Sequence, residues 1–321
     1  MPFEIAIVQK PPVALDLPAS LGRAVEWIAE AAAAGARLVL FPETFLPGYP
    51  AWIWRLRPGP DLRLGNEIHA RLRRNAVDLS GDTLDPVREA AARHRTVVVL
   101  GLHEIDGAYS GSTLFNTVVV IGPDGRMLNR HRKLMPTNPE RMVWGMGDAA
   151  GLRVVATPVG RIGTLICWEN YMPLARFALY AQNLDILLAP TWDRGETWIA
   201  SMQHIAKEGG CWVAATGTAV QAKDLPEDFP GRERLFPDPE EWLCDGDAVV
   251  VRPFGGRIAG PLTREKGILY AEIDPEAARR ARRTLDVAGH YGRPDLFRLE
   301  IDRRPKPPAI FRDSADPAAE E

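Results

Sequence analysis

The chain has 321 residues, 46% of them hydrophobic and 25% charged, which is a soluble globular composition large enough for one big α/β domain or two ordinary ones. Lysine and arginine (39) nearly balance aspartate and glutamate (42), so a net charge of −3 leaves no basic excess to hold a nucleic acid. The start, MPFEIAIVQKPP, has no charged leader ahead of a long apolar stretch, and no run approaches the roughly 18 apolar residues of a membrane span, so a cytoplasmic protein is expected.

Phe3 to Val8 is a short apolar strand, Leu21 to Ala34 reads as an alanine-rich helix closed by Gly35, and Arg37 to Phe41 is a strand running into Pro42. This strand–helix–strand opening is that of an α/β unit. Residues 60–78 and 85–95 read as helices, the first with Leu62, Ile68, Leu72 and Val77 near a helical period. Arg71, Arg73 and Arg74 form a small basic cluster there, which reads as a solvated helix face. Thr96 to Leu102 and Leu114 to Ile121 are β-branched strands, and Asp124-Gly125 marks a tight hairpin. A second hairpin falls at Gly160, between Leu152–Val159 and Ile162–Ile166.

Beyond it, Pro173 to Gln182 is helical, Asp185 to Ala189 a strand, Glu196 to Glu208 a helix and Cys211 to Thr216 a strand. Residues 220–243 show charge, proline and no period, and read as a long excursion. Val249 to Arg252, the Gly255-Gly256 turn and Ile268 to Ile273 complete the sheet pattern before Pro275 opens a last helix. Residues 1–302 are expected to form one domain, and 303–321, proline-rich and charged, a loosely held tail. Near-continuously apolar strands such as Leu38-Val39-Leu40-Phe41 imply burial on both faces, and the several hairpins argue against an all-parallel sheet. A four-layer αββα sandwich satisfies both.

Three cysteines cannot all pair and lie too far apart for a zinc motif, which suits free thiols in a reducing compartment. Cys211 opens an apolar strand and reads as core, and Cys244 reads as structural. Cys167 differs, because it ends a strand and precedes a turn into a helix, where converging amides and a helix dipole favour thiolate. A free cysteine is commonly just a buried core residue, so the position needs chemical partners to carry function. The six histidines, His69, His94, His103, His131, His204 and His290, show no evident orienting partner, and no Cys–His dyad is visible. No histidine–carboxylate cluster has metal-ligand spacing either.

Two charged residues are alternatives to histidine. Glu43 follows a strand and sits in the apolar, turn-rich loop Pro42-Glu43-Thr44-Phe45-Leu46-Pro47-Gly48-Tyr49-Pro50, where desolvation raises a carboxyl pKa toward that of a general base. Lys133 ends the extended run His131-Arg132-Lys133 and offers a fixed positive charge to an oxyanion or imine nitrogen.

Glu43 in FPETFLPGYP, Lys133 in HRKLMPTNPER and Cys167 in LICWENYMPLAR, spaced by 90 and 34 residues, resemble the Glu–Lys–Cys sites of the nitrilase superfamily. The runs KLMPTNPERMVWGMGD, CWENYMPLAR and GHYGRPDLFRL are similar to its nitrilase branch. The segment Cys244-Asp245-Gly246-Asp247-Ala248 departs from that branch, lacking its glycine- and serine-rich turn. The resemblance implies an αββα sandwich without cofactor or metal, a homodimer or larger homo-oligomer, and a fourth participant, Glu140, that positions lysine and substrate. It also implies hydrolysis of an organic nitrile to an acid and ammonia through a Cys167 thioimidate and thioester, aided by the Trp168 amide. An amidase or carbamoylase using the same residues, a cyanide-degrading enzyme and a non-catalytic scaffold are the alternatives. Aromatic residues Tyr49, Trp52, Trp54, Trp168 and Trp192 are the candidates for substrate selection, with core packing the competing reading for each.

Overall fold

The computed structural model describes residues 1–107 and 110–309. Among the described residues, fourteen strands form two mixed sheets. The first holds β1 (Phe3–Val8), β2 (Ala36–Leu40), β3 (Val77–Asp78), β4 (Val97–Ile105), β5 (Leu114–Ile121) and β6 (Met127–Arg132). The second holds β7 (Val155–Thr157), β8 (Gly160–Thr164), β9 (Ile186–Pro190), β10 (Trp212–Thr216), β11 (Ala219–Gln221), β12 (Trp242–Val251) and β13 (Arg257–Thr263). The chain then returns through β14 (Ile268–Ile273), which pairs antiparallel with β1 at the edge of the first sheet. That sheet runs β14-β1-β2-β4-β5-β6, with β3 on β4, and the other runs β11-β12-β10-β9-β8-β7, with β13 on β12. In each sheet a parallel centre (β1/β2/β4; β8/β9/β10) is flanked by antiparallel pairs, among them the hairpins β4/β5, β5/β6 and β7/β8, so near-continuous apolar runs coexist with hairpin turns.

The sheets pack face to face. Ile5, Leu38, Leu40, Val97, Val99 and Val118 of the first meet Ile162, Ile186, Leu188, Ala214 and Val250 of the second. Alternate residues of the same strands point outward, where α1 (Leu17–Ala33) and α3 (Asp85–His94) cover the first sheet and α4 (Pro173–Tyr180) and α5 (Glu196–Glu208) the second. This is the αββα sandwich anticipated from the strand pattern. A smaller apolar cluster lies over one end, built from α2 (Leu62–Arg74), α6 (Arg232–Leu235) and aromatic residues including Trp52, Trp144, Phe229 and Phe236.

Several boundaries move. α1 begins at Leu17 rather than Leu21 because Asp16 caps it, accepting from the Ala19 amide at 2.9 Å, with Pro18 in its first turn. The helix expected over 60–78 stops at Arg74: Asn75 turns back onto the Arg71 carbonyl at 3.0 Å, and Val77 belongs to β3. The basic cluster is used locally, Arg71 pairing with Asp228 and Arg73 donating to the Gly111 carbonyl. The supposed excursion over 220–243 contains β11 and α6, and β12 starts within it at Trp242. Cys244 to Ala248 is therefore strand, not loop, and β13 was not legible because its exposed, glycine- and proline-containing residues carry no alternation. α7 (Pro275–Thr284) starts at Pro275 as expected. Most of the tail, residues 310–321, lies outside the described residues. Among those described, no helix is long and apolar enough to cross a membrane.

Candidate active site

Three segments leaving the same end of the sandwich converge between the sheets. Glu43 lies three residues past β2, Lys133 directly follows β6, and Cys167 lies three residues past β8. The loop carrying Glu43 is laid against β4: the Phe41 amide donates to Val99 O at 2.8 Å, and the Leu46 amide to Gly101 O at 3.1 Å. Gly101 is required there, since a Cβ would overlap the Pro42 carbonyl and come within 2.6 Å of the Thr44 nitrogen. Lys133 extends the β5/β6 ladder, its amide donating to Asn116 O at 2.8 Å. Cys167 opens a short 3-10 turn, Cys167–Tyr171, with the left-handed φ of 52° that is uncommon for a residue bearing a Cβ.

The Lys133 ammonium sits between two carboxylates, 2.8 Å from Glu43 Oε1 and 2.8 Å from Glu140 Oε2. Glu43 Oε1 also accepts from Asn116 Nδ2 at 2.6 Å, while Glu43 Oε2 is buried with no hydrogen-bond partner among the described residues. One oxygen thus anchors the carboxylate and the other is free to take a proton. Glu140, in the 3-10 turn Asn138–Met142, accepts further from the Thr137 amide and from the Tyr49 hydroxyl, each at 2.6 Å. Thr191, one residue past β9, lies on the Cys167 side of the site, where its hydroxyl favours the charged form of the sulfur.

Burial, the Glu43 charge and the Glu140 charge push the Cys167 thiol up to about 12, against the opposing pull of Lys133 and Thr191. This corrects the expectation of a helix-stabilised thiolate: α4 starts only at Pro173, and its dipole does not offset the desolvation of a buried sulfur. At rest the Cys167 sulfur is held as a neutral thiol. Burial lifts Glu43 to about 7 although Lys133 and Asn116 pull it down, so the carboxyl titrates where a general base should. Burial alone would lower Lys133, but Glu43, Cys167 and Glu140 hold its ammonium above the usual lysine range.

Of the aromatic candidates, the structure gathers three. Tyr49 stacks on Trp192 with ring centres 4.1 Å apart and planes 7° from parallel, and Trp54 Nε1 donates to the Tyr49 hydroxyl at 3.1 Å. Trp168, 46% exposed, is held elsewhere, its Nε1 donating to Asp193 Oδ2 at 2.9 Å. Trp52 is buried in the end cluster and serves as core. Cys211 and Cys244 are buried, and desolvation raises both thiols, to about 12 and about 11.

Four site residues were not singled out from sequence: Asn116, Thr191, His131 and Glu169. Contrary to the sequence reading, two histidines are oriented. His131 Nε2 lies 3.0 Å from Glu169 Oε2, and His103 accepts from Trp144 Nε1 at 2.9 Å while its Nε2 donates to Gly48 O at 2.9 Å. A polar residue inside an otherwise apolar strand, Asn116 in LFNTVVVI, was the available signal, whereas His131 in the polar strand MLNRHR carried none. Among the described residues no group of three or more His, Cys, Asp or Glu could hold a metal ion.

Comparison with known proteins matches residues 4–283 to the carbon–nitrogen hydrolase family. An aliphatic nitrilase of Sinorhizobium fredii (strain HH103) is 39% identical over 97% of this chain and 99% of its own length. A bifunctional nitrilase/nitrile hydratase of Lupinus angustifolius is 39% identical over 95% of this chain and 87% of its own. The crystal structure of Saccharomyces cerevisiae Nit3, a member of branch 10 of the nitrilase superfamily, superposes with a TM-score of 0.70 at 19% identity, covering 90% of this chain and 96% of that one, and so speaks for the fold alone.

Proposed function

The chain belongs to the carbon–nitrogen hydrolase family, and from that premise we propose that it hydrolyses an organic nitrile to a carboxylic acid and ammonia on Cys167. The observation that carries the reading is the buried Lys133 ammonium held between Glu43 and Glu140, with Glu43 Oε2 left unpartnered. A nitrile has no leaving group at the first attack, so its nitrogen must be protonated in stages, which suits a carboxylate that cycles one proton beside a fixed cation.

Glu43 Oε2 takes the thiol proton as sulfur adds to the nitrile carbon. One C–N π bond becomes a nitrogen lone pair, which receives that proton, and Lys133 and the Trp168 amide hydrogen-bond the nitrogen of the thioimidate. Glu43 next takes a proton from water as its oxygen adds to the same carbon. Glu43 returns that proton, making the nitrogen an NH2; the new hydroxyl then gives its proton to nitrogen through Glu43 as the C=O bond forms, the C–N bond breaks, ammonia leaves, and a thioester remains. A second water, deprotonated by Glu43, displaces the Cys167 sulfur, which recovers its proton as the acid departs. Two waters are consumed per nitrile. Glu140 holds Lys133 and Tyr49, and Tyr49, Trp54 and Trp192 contact the substituent on the nitrile, while Trp168 serves the site through its backbone amide. The full-length relatives named nitrilases support this substrate class over amides, carbamoyl compounds or free cyanide.

The test is ammonia and acid release from aliphatic, aryl and arylacetonitriles, with amides and cyanide in parallel, by wild type and Cys167→Ala. Turnover of amides alone, or undiminished turnover in the variant, overturns the reading.

Residues 1–302 act as one unit in this proposal, because the site draws on both sheets. Homodimerisation is proposed across the α4–α5 face, where Tyr171, Pro173, Arg176, Thr197 and Ala200 line a groove of about 390 Å³ and Leu174 of α4 is 66% exposed. Size-exclusion chromatography with light scattering checks it, and Leu174→Glu is expected to shift the chain to monomer. Three free thiols suit the cytoplasm.

A further inference from the structure

The carboxylate of Glu169 takes no part in the chemistry above, yet it joins the two backbone segments on which that chemistry depends. It is fully buried, two residues past Cys167. Its Oε2 accepts from the Ile166 amide at 2.6 Å, and its Oε1 from the Leu134 amide at 2.6 Å. Ile166 immediately precedes Cys167, and Leu134 immediately follows Lys133. The first leaves the second sheet after β8 and the other leaves the first sheet after β6, so one side chain spans the gap between the sheets. His131 Nε2 adds a third contact, 3.1 and 3.0 Å from the two carboxylate oxygens. A carboxylate bonded to three donors is far stiffer than one held by a single contact.

The same residue also closes the turn around the nucleophile. The Glu169 amide donates to Ile166 O at 3.1 Å, reciprocating the bond from Ile166 N, and Cys167 lies inside that ring with its φ of 52°. A left-handed residue of this kind persists where its surroundings over-determine it. Asn170 contributes, donating to the carbonyls of Leu165 and Cys167, but it ties the turn only to itself. Glu169 ties it to the lysine.

We propose that Glu169, oriented by His131, is a positioning residue that fixes the Cys167 sulfur and the Lys133 ammonium at the separation needed to engage the carbon and nitrogen of one bond. This rests on the catalytic roles assigned to Cys167 and Lys133. Glu169→Gln is the direct probe, since the amide keeps one acceptor but turns an NH2 toward the other backbone N–H. Donor then faces donor, and the segments part. A displacement near 1 Å in such a site costs about 100-fold in rate.

The experiment measures kcat and KM of wild type and Glu169→Gln, with kcat expressed per folded molecule, the folded fraction being read from the cooperative urea transition so that unfolded protein is not counted. It uses whichever nitrile or amide the wild type turns over. Inactivity of the wild type on nitriles therefore fails the functional reading and leaves the positioning role testable. The expected result is kcat lower by about 100-fold with KM within about threefold. A kcat per folded molecule within twofold of wild type overturns the proposal. If Glu169→Gln does not fold, His131→Leu and His131→Gln decide, since glutamine restores a donor toward Glu169 and leucine cannot. A kcat about tenfold lower for leucine than for glutamine supports the role, and equal values overturn it.

Discussion

Lys133 Nζ and Glu43 Oε1 are 2.8 Å apart with neither side chain exposed to solvent. The pair is embedded in a cluster where Glu140 adds a second negative charge, 2.8 Å from the same ammonium. Removing one therefore unbalances the rest, which makes the site open to dissection by substitution.

Lys133→Met leaves Glu43 and Glu140 facing each other without a cation. Stability is expected to fall by about 3–5 kcal/mol, as for other broken buried pairs, and activity to vanish. Lys133→Met with Glu43→Gln removes one of the two charges and should recover part of the stability and none of the activity. Urea denaturation beside ammonia release checks both, and equal stability of the single and double variants contradicts the electrostatic account.

The pH profile follows from Glu43. Its carboxyl titrates near 7 in the folded protein, and only the ionised form takes a proton from the thiol, so kcat/KM should climb as pH rises through about 7 and then level. Lys133, held above its ordinary range, stays charged across that plateau. A profile already flat from pH 5 upward rules out Glu43 as the base.

Asn116 stabilises the charged form of Glu43 through its 2.6 Å hydrogen bond. Asn116→Ala should move the ascending limb to higher pH and lower kcat/KM at pH 7 by about fivefold for one pKa unit, the ionised fraction falling from about one half to about one tenth. At pH 9 most of that deficit should disappear. A deficit independent of pH would place Asn116 in packing alone.

Gly101→Ala tests the seat of the Glu43 loop. The added methyl must displace the Pro42–Thr44 backbone, and overpacking of this kind costs about 1–3 kcal/mol. A lower Tm together with a kcat loss exceeding the loss of folded protein is expected; unchanged kcat in the folded fraction would show that the loop tolerates the shift.

His103 bears on acid stability. Burial lowers its pKa to about 4, whereas in the unfolded chain it titrates near 6.5. Between those values the unfolded state binds the extra proton, so the stability that the neutral imidazole contributes above pH 6.5 is lost as pH falls toward 4. The difference is on the order of 3 kcal/mol. His103→Gln should be less stable at pH 7.5 but show a shallower fall of Tm between pH 6.5 and 4; parallel slopes would contradict this origin.

By itself the sequence determined the sandwich and the segments that meet in the site. Apolar runs such as Leu38 to Phe41, the turn signals at Gly35 and Asp124-Gly125, and the proline starts of α4 and α7 act over a few residues, so the order of residues suffices to read them. Glu43, Lys133, Glu140 and Cys167 were named from their motifs, and their convergence lay in the fold that those motifs imply. Tertiary structure decided what no local pattern encodes. It set the protonation of Cys167, where burial outweighs a turn that looked favourable to thiolate, and it chose which oxygen of Glu43 is left free. It separated Trp168 from the Tyr49–Trp192 stack. It also paired Glu169 with the amides of Ile166 and Leu134, 32 residues apart in the chain, and brought both to His131. Desolvation and long-range hydrogen bonds arise where two sheets close on one another, and that closure is a property of the packed molecule rather than of any segment of it.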